Sequence, residues 1–218
     1  MSQTCPDDPR RAALMSAAAE LFLERGFAAT SIDAIIERAG GSKRTIYALF
    51  GNKEGLFEAL VSDSTAKLYS GVFHEEGADK AGLEGALTQF AEHLLELFSR
   101  PSAIGLYRLV VSEAGRSPEL VSYFFRTGPA KSLDWVKRLL QAAHERGEIV
   151  CPDPELTASQ FLGLVRGETY MEIVLGQRPP LTEQEIPEMA RQATQLFLWG
   201  LHRENASGNT GKAEAAET

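Results

Sequence analysis

Little in this 218-residue chain belongs to the chemistry of catalysis. The two cysteines, Cys5 and Cys151, lie far apart and lack metal-ligand spacing, which fits ordinary reduced thiols. The four histidines, His74, His93, His144 and His202, stand alone, and none falls in an H-E-x-x-H or other paired-ligand arrangement. His74-Glu75-Glu76 reads as a solvated helix end rather than a metal site. A nucleophile elbow G-x-S-x-G, a phosphate-binding P-loop and a G-x-G-x-x-G turn are all missing. Catalytic residues, metals and cofactors are therefore not expected. No run of about 18 apolar residues occurs, so no membrane-spanning helix is expected. The opening stretch MSQTCPDDPRRAAL has no apolar core and carries acids; no secretory leader and a cytoplasmic location are expected. Convincing strands and internal repeats are also missing.

What is present is helix, punctuated by caps. The stretch from Thr30 to Lys53, TSIDAIIERAGGSKRTIYALFGNK, reads as two short helices joined by a tight turn. Either Thr30 or Ser31 is the N-cap, and Ile32, Ile35, Ile36 and Ala39 then recur at helical spacing. Ala39-Gly40-Gly41 breaks the helix, because glycine accepts the positive φ of a sharp turn. Ser42 caps the second helix. Ile46 and Phe50 sit four apart on its inner face, leaving Lys43, Arg44, Thr45, Tyr47 and Ala48 outward. Such a helix suits the major groove, contacting base edges with its first residues and phosphates with its flanks. Arg44 is the leading base reader, since a guanidinium can bond guanine O6 and N7 together, and Thr45 can touch a thymine methyl. Ala48 is placed on the same reading face. Tyr47 either faces DNA or packs on its own core.

Charge supports this division. The chain carries a formal −8, yet residues 1–53 hold seven basic residues against six acidic ones. The acid lies in the larger remainder, where it opposes indiscriminate nucleic-acid binding. The local basic cluster supplies the phosphate attraction.

Residues 14–57, LMSAAAELFLERGFAATSIDAIIERAGGSKRTIYALFGNKEGLF, resemble the N-terminal domain of the TetR family of transcriptional regulators. The shared features are the ELF-x-ERGF-x-x-T-S entry, the I-x-ERAG-x-SK-x-T-x-Y core and the F-x-x-KE-x-L-F exit. Ile36 and Gly41 stand where the family usually has Ala and Val, and Leu49 where a His is frequent. A DNA sequence preference therefore does not transfer. The resemblance implies a homodimeric regulator of double-stranded DNA, usually a repressor, whose larger domain binds a small-molecule effector and releases the operator. It also implies phosphate contacts from Thr30, Lys43, Tyr47 and Lys53. The stretch YRLVVSEAGRSPEL, residues 107–120, is similar to the C-terminal domain of AefR-like members.

The expected architecture is all-α: a three-helix domain with the helix-turn-helix over 8–53, a larger helical bundle over 54–203, and a disordered tail over 204–218. Residues 1–7 are read as a loose arm. Asp8 and Pro9 open the first helix, with Leu14, Ala17, Ala18, Leu21 and Phe22 inward and Gly26 at its end. Asn52 caps a helix from Lys53 whose first amides point outward. Its inner face carries Leu56, Phe57, Leu60 and Val61 and reaches towards Val72. Beyond a loop at 77–82, helices are expected at 83–98, 102–113, 117–125, 129 to about 144, 154–175 and about 185–202. Thr182 and Glu185 suit a capping box, while Pro187 argues for a later start.

Two further sites are read from the pattern. The last helix carries a stripe from Ile186 through Ala190 and Phe197 to Leu201, with Leu196, Leu198 and Trp199 outside it. An end apolar on all sides needs a second surface. A partner subunit would supply it, with Phe161, Val165, Phe197, Leu198, Trp199 and Leu201 in the seam and Leu164 an alternative; Trp199 packing within its own subunit is the other reading. In helix 154–175, Arg166 and Glu168 interrupt an apolar run about 200° apart, so at least one should meet protein. Arg166 and Tyr170, with Tyr107, Arg108, Phe124 and Trp135, would line an effector pocket. Core packing of the aromatics and an ion pair for Arg166 are the competing readings. A DNA-binding protein without effector, and a ligand-sequestering or enzymatic helical protein, remain the alternatives.

Overall fold

The computed structural model describes residues 8–69 and 75–207, with side chains over 8–63 and 82–201. The expected arm at 1–7, Val72, His74 and residues 208–218 of the expected tail lie outside them. Every described element is helical: α1 (Pro9–Arg25), α2 (Ile32–Ala39), α3 (Lys43–Phe50), α4 (Lys53–Tyr69), α5 (Glu75–Phe98), α6 (Pro101–Glu113), α7 (Pro118–Thr127), α8 (Pro129–Glu145), α9 (Pro154–Leu175) and α10 (Glu185–Ser207).

The caps are local chemistry and fall where the side chains dictate. Asp8 accepts from the Arg10 amide, Ser31 from Ala34, Ser42 from Thr45 and Asn52 from Gly55. Each satisfies an amide that the first helical turn leaves without a partner. Of the two candidates before α2, Ser31 is the cap. Before α10, Thr182 and Glu185 form the reciprocal box: the Glu185 amide donates to Thr182 Oγ1 and the Thr182 amide to Glu185 Oε2, at 3.3 and 2.8 Å. Pro187 is compatible because it falls in the first turn, where amides have no intrahelical acceptor.

Three helices differ from their expected outlines. The segment expected as a loop at 77–82 is helical, and the interruption is confined to Gly82 at φ 67° within α5. α9 is broken at Gly167, φ 52° and ψ −169°, a conformation that costs other residues strain. α10 continues to Ser207, into the expected tail.

The chain divides into two compact units, residues 1–69 with 101–130, and residues 70–100 with 131–218. This cuts the chain differently from the expected boundary at 53/54. α4, α6 and α7 belong with the N-terminal helices because their apolar faces complete one core: Leu14, Ala18, Leu21, Phe22, Ile35 and Ile46 pack with Leu56, Phe57, Val61, Leu109, Val110 and Leu120. Phe22, Phe27 and Phe57 form its aromatic centre, with ring centroids 5.0–6.3 Å apart. Glu113, buried at the end of α6, accepts from Ser117 Oγ at 3.3 Å and lies beside Gly26, the C-cap of α1.

The second unit is built on α5, α8, α9 and α10. Phe90 stacks on Trp135 at 4.7 Å, Phe98 meets Tyr170 at 4.3 Å, and Phe161 meets Phe197 at 4.9 Å. Leu87, Val136, Leu140, Ala158 and Ala190 are fully buried in the same unit.

Candidate nucleic-acid interface

α3 is fixed from below. Ile46 is fully buried, and Leu49 and Phe50 are half-buried against the same core. Lys43, Arg44, Tyr47 and Ala48 are exposed, and Thr45 is half-exposed. Tyr47, at 52% exposure, does not pack on its own core. The Thr45 hydroxyl lies 3.0 Å from that of Ser42, which ties it to the start of the helix. Lys43 Nζ sits 2.9 Å from Asp33 Oδ2 of α2, and the adjacent carboxylate holds its ammonium above the usual lysine range. Among the described residues Arg44 has no ion pair or hydrogen bond through its side chain.

Two residues expected at phosphates have other occupations. Thr30 is 2% exposed, and its hydroxyl lies 2.8 Å from the Gly26 carbonyl and 3.1 Å from that of Leu21. A side chain so enclosed holds the α1–α2 turn and has no surface for a phosphate. Lys53 Nζ donates to the Phe27 and Thr30 carbonyls at 2.8 and 2.9 Å and lies 4.4 Å from the centre of the Phe27 ring. Its ammonium therefore pins the start of α4 to that same turn. Arg38 plays a parallel part, forking onto both Glu24 oxygens at 2.7 and 2.9 Å. That guanidinium holds the Glu24 carboxyl below the usual range. α3 is thus set by turn and helix ends that are themselves braced.

Two residues that sequence reasoning missed belong to this assembly. Asp33 is one. Gly55 is the other: a Cβ there would lie 2.0 Å from the Phe50 carbonyl oxygen that ends α3. The signal for Gly55 was a glycine inside a helical pattern, which weakens the helix unless packing calls for it.

The family described as bacterial regulatory proteins, tetR family, matches residues 14–60, and the AefR-like transcriptional repressor C-terminal domain matches residues 85–200. The chain belongs to the TetR family. It is a helix-turn-helix transcriptional regulator, and ligand-responsive repression is typical of that family. Among its relatives is the uncharacterized regulator YvkB of Bacillus subtilis, 26% identical over 88% of this chain and 97% of that protein. Among solved structures, a flavonoid-responsive regulator, FrrA, is 36% identical with a TM-score of 0.74, over 88% of this chain and 96% of the other. A putative TetR-family regulator from Mesorhizobium loti is 25% identical with a TM-score of 0.73, over 90% and 98%.

The TetR regulator's expected effector and dimer residues are distributed as follows. Tyr107 and Phe124, with ring centroids 6.3 Å apart, lie with Arg108 in the first unit. Trp135, Arg166 and Tyr170 lie in the second. There Arg166 is exposed and its guanidinium is 5.9 Å from the Phe98 ring, while Tyr170 is buried against the same ring. The expectation that Arg166 and Glu168 point apart on one continuous helix fails, because Gly167 breaks the helix between them; both are exposed. Of the residues expected in a dimer seam, Phe161, Val165, Phe197 and Leu198 are buried within their own chain. Their stripe faces the neighbouring helices of the same unit. Leu201 is half-buried and Trp199 is 63% exposed; Leu164, Met171 and Leu175 on α9 and Leu196 on α10 are also exposed.

Proposed function

We propose that this TetR-family protein reads a near-palindromic operator with α3 and releases it when a flat aromatic effector enters the second unit. The observation that carries the DNA reading is the outward face of α3, where Arg44 is exposed and uncommitted on a helix anchored by Ile46. Arg44 is assigned to a guanine edge, Thr45 through its methyl and Ala48 to thymine, and Lys43 and Tyr47 to phosphates. Thr30 and Lys53 set the turn beneath them.

Arg44→Ala is expected to cost about 1–3 kcal/mol at the operator and to relax sequence preference. The operator is first obtained by selection from random duplex DNA and the variant is then run through the same selection. An unchanged preferred sequence at unchanged affinity would remove α3 as the reader.

The effector reading rests on the aromatic interior of the second unit, where Phe90 stacks on Trp135 and Phe98 meets Tyr170, so that a planar ligand would insert between rings that now pack on one another. Arg166 beside Phe98 offers a cation to an acidic phenol or carboxylate. Such an interior with few polar anchors fits a mid-sized aromatic ligand. The relative that is flavonoid-responsive supports that class. In a thermal-shift screen of flavones, other planar phenols and linear fatty acids, the planar compounds should raise the melting temperature and release operator DNA. A response to the linear acids alone would contradict the class proposed.

We also infer a twofold dimer, joined along the exposed apolar edges of α9 and α10. Twofold symmetry places two α3 helices on half-sites one or more DNA turns apart, which is the reason for a near-palindrome.

A further inference from the structure

Lys43 stands at the first position of α3, where a phosphate contact is expected, yet its charge is already matched. Asp33, two residues into α2, places Oδ2 2.9 Å from Lys43 Nζ, and both side chains are more than half exposed. Asp33 is not needed as the cap of α2, because Ser31 accepts from the Ala34 amide. Nor is it matched by another described cation: Arg38, the single base of α2, is committed to Glu24 across the helix pair. Its position in the first turn of α2 suits a negative charge, since the helix dipole is positive there.

We propose that Asp33 restrains Lys43 and so attenuates the phosphate contribution to DNA binding at every sequence. A phosphate approaching Lys43 must displace, or share the ammonium with, a carboxylate that repels it. A cation paired in advance releases fewer counterions from DNA, and counterion release drives binding to any sequence. Arg44, the next residue, carries no such restraint and can engage a base edge at full charge. A phosphate contact is made on arbitrary sequence and on the operator alike, so the Asp33–Lys43 pair lowers both affinities by a similar factor. The pair works as an attenuator of the electrostatic affinity common to both. This rests on α3 being the DNA-facing helix.

The test uses the full-length protein, a random-sequence duplex and the selected operator, across a range of salt. Asp33→Asn should raise affinity for the random duplex severalfold and steepen the salt slope by about one per protomer. Affinity for the operator should rise by a similar factor, so the specificity ratio is kept. In Asp33→Asn/Lys43→Ala the gain should vanish, because Lys43 is the charge set free. An unchanged slope in the single variant, or a gain that survives in the double variant, overturns the proposal. A changed base preference at one operator position also overturns it, since Asp33 would then be touching a base. Arg44→Ala in the same series separates this from failure of the underlying reading. If that variant keeps its sequence preference, α3 is not the reader, whatever the Asp33 variants do on random DNA. Unchanged far-ultraviolet circular dichroism for each variant guards against misfolding.

Discussion

Gly55→Ala should destabilise the protein and strip it of operator binding, although the substitution adds one methyl group. The Cβ would meet the Phe50 carbonyl oxygen at 2.0 Å, the Phe50 carbonyl carbon at 3.1 Å and Asn52 Oδ1 at 3.2 Å. Tolerated carbon–oxygen contacts lie above about 3.3 Å. The offending atom is backbone, so no rotamer change relieves it; α3 and α4 must separate. Separation also stretches the Asn52 cap on the Gly55 amide, now 2.7 Å long. Overpacking of this kind costs about 1–3 kcal/mol. For a chain of this length each kcal/mol lowers the melting temperature by about 2–4 °C. A loss of DNA affinity should accompany the loss of stability, because α3 is displaced from the braced turn that positions it. Operator affinity should fall at least about tenfold, a loss of about 1.4 kcal/mol. Thermal unfolding and gel-shift titration of the same preparation read both quantities. An alanine variant with wild-type melting and affinity would mean that the α3–α4 corner is looser than its geometry.

Leu196→Glu is expected to yield a folded monomer. Scattered exposed apolar residues are ordinary on any surface. Here, however, Leu164, Met171 and Leu175 on α9 and Leu196 and Trp199 on α10 are exposed on two consecutive helices, and a concentration of that kind marks an interaction surface. In a twofold seam each substitution occurs twice, and an unpaired carboxylate buried there costs several kcal/mol. Since Leu196 is exposed within its own chain, the glutamate should leave the subunit's fold intact. Sedimentation at micromolar concentration should show one subunit, with unchanged helical circular dichroism. Operator affinity should drop by about 10²–10⁴, the factor that linking two half-site contacts contributes. A variant that still sediments as a dimer with full affinity would place the seam elsewhere.

What could be read in advance, and what could not, follows the range of the interactions. Asp8, Ser31 or Thr30, Ser42 and Asn52 announce helix starts because a cap involves residues two or three apart. The outward face of α3 was legible for the same reason: Ile46 and Phe50 define its inner side within one turn of helix. Thr30 and Lys53 were not legible as braces, because their acceptors lie up to nine and 26 residues away. The helical stripe of α10 was visible, but periodicity does not tell which neighbour a stripe meets. Ile186, Ala190, Phe197 and Leu198 face helices of their own unit, which leaves Leu196 and Trp199 outside. Gly167 defeated the reading of α9 differently. A single positive φ resets the helical angle, so residues counted as opposite across it no longer stand opposite.

The first unit is assembled from two separated stretches of chain, 1–69 and 101–130. During synthesis the reading helix leaves the ribosome long before Leu109, Val110 and Leu120 exist to close the core beneath α1 and α4. The nascent head must wait, with an apolar flank uncovered, until residue 120 has emerged. The same discontinuity bears on engineering. A graft that joins residues 1–69 to a foreign sensor discards part of the head's own floor, and one cut at 53 also discards Leu56, Phe57 and Val61. Exchanging DNA specificity between such proteins is therefore better done by rewriting the exposed face of α3 in place than by splicing heads.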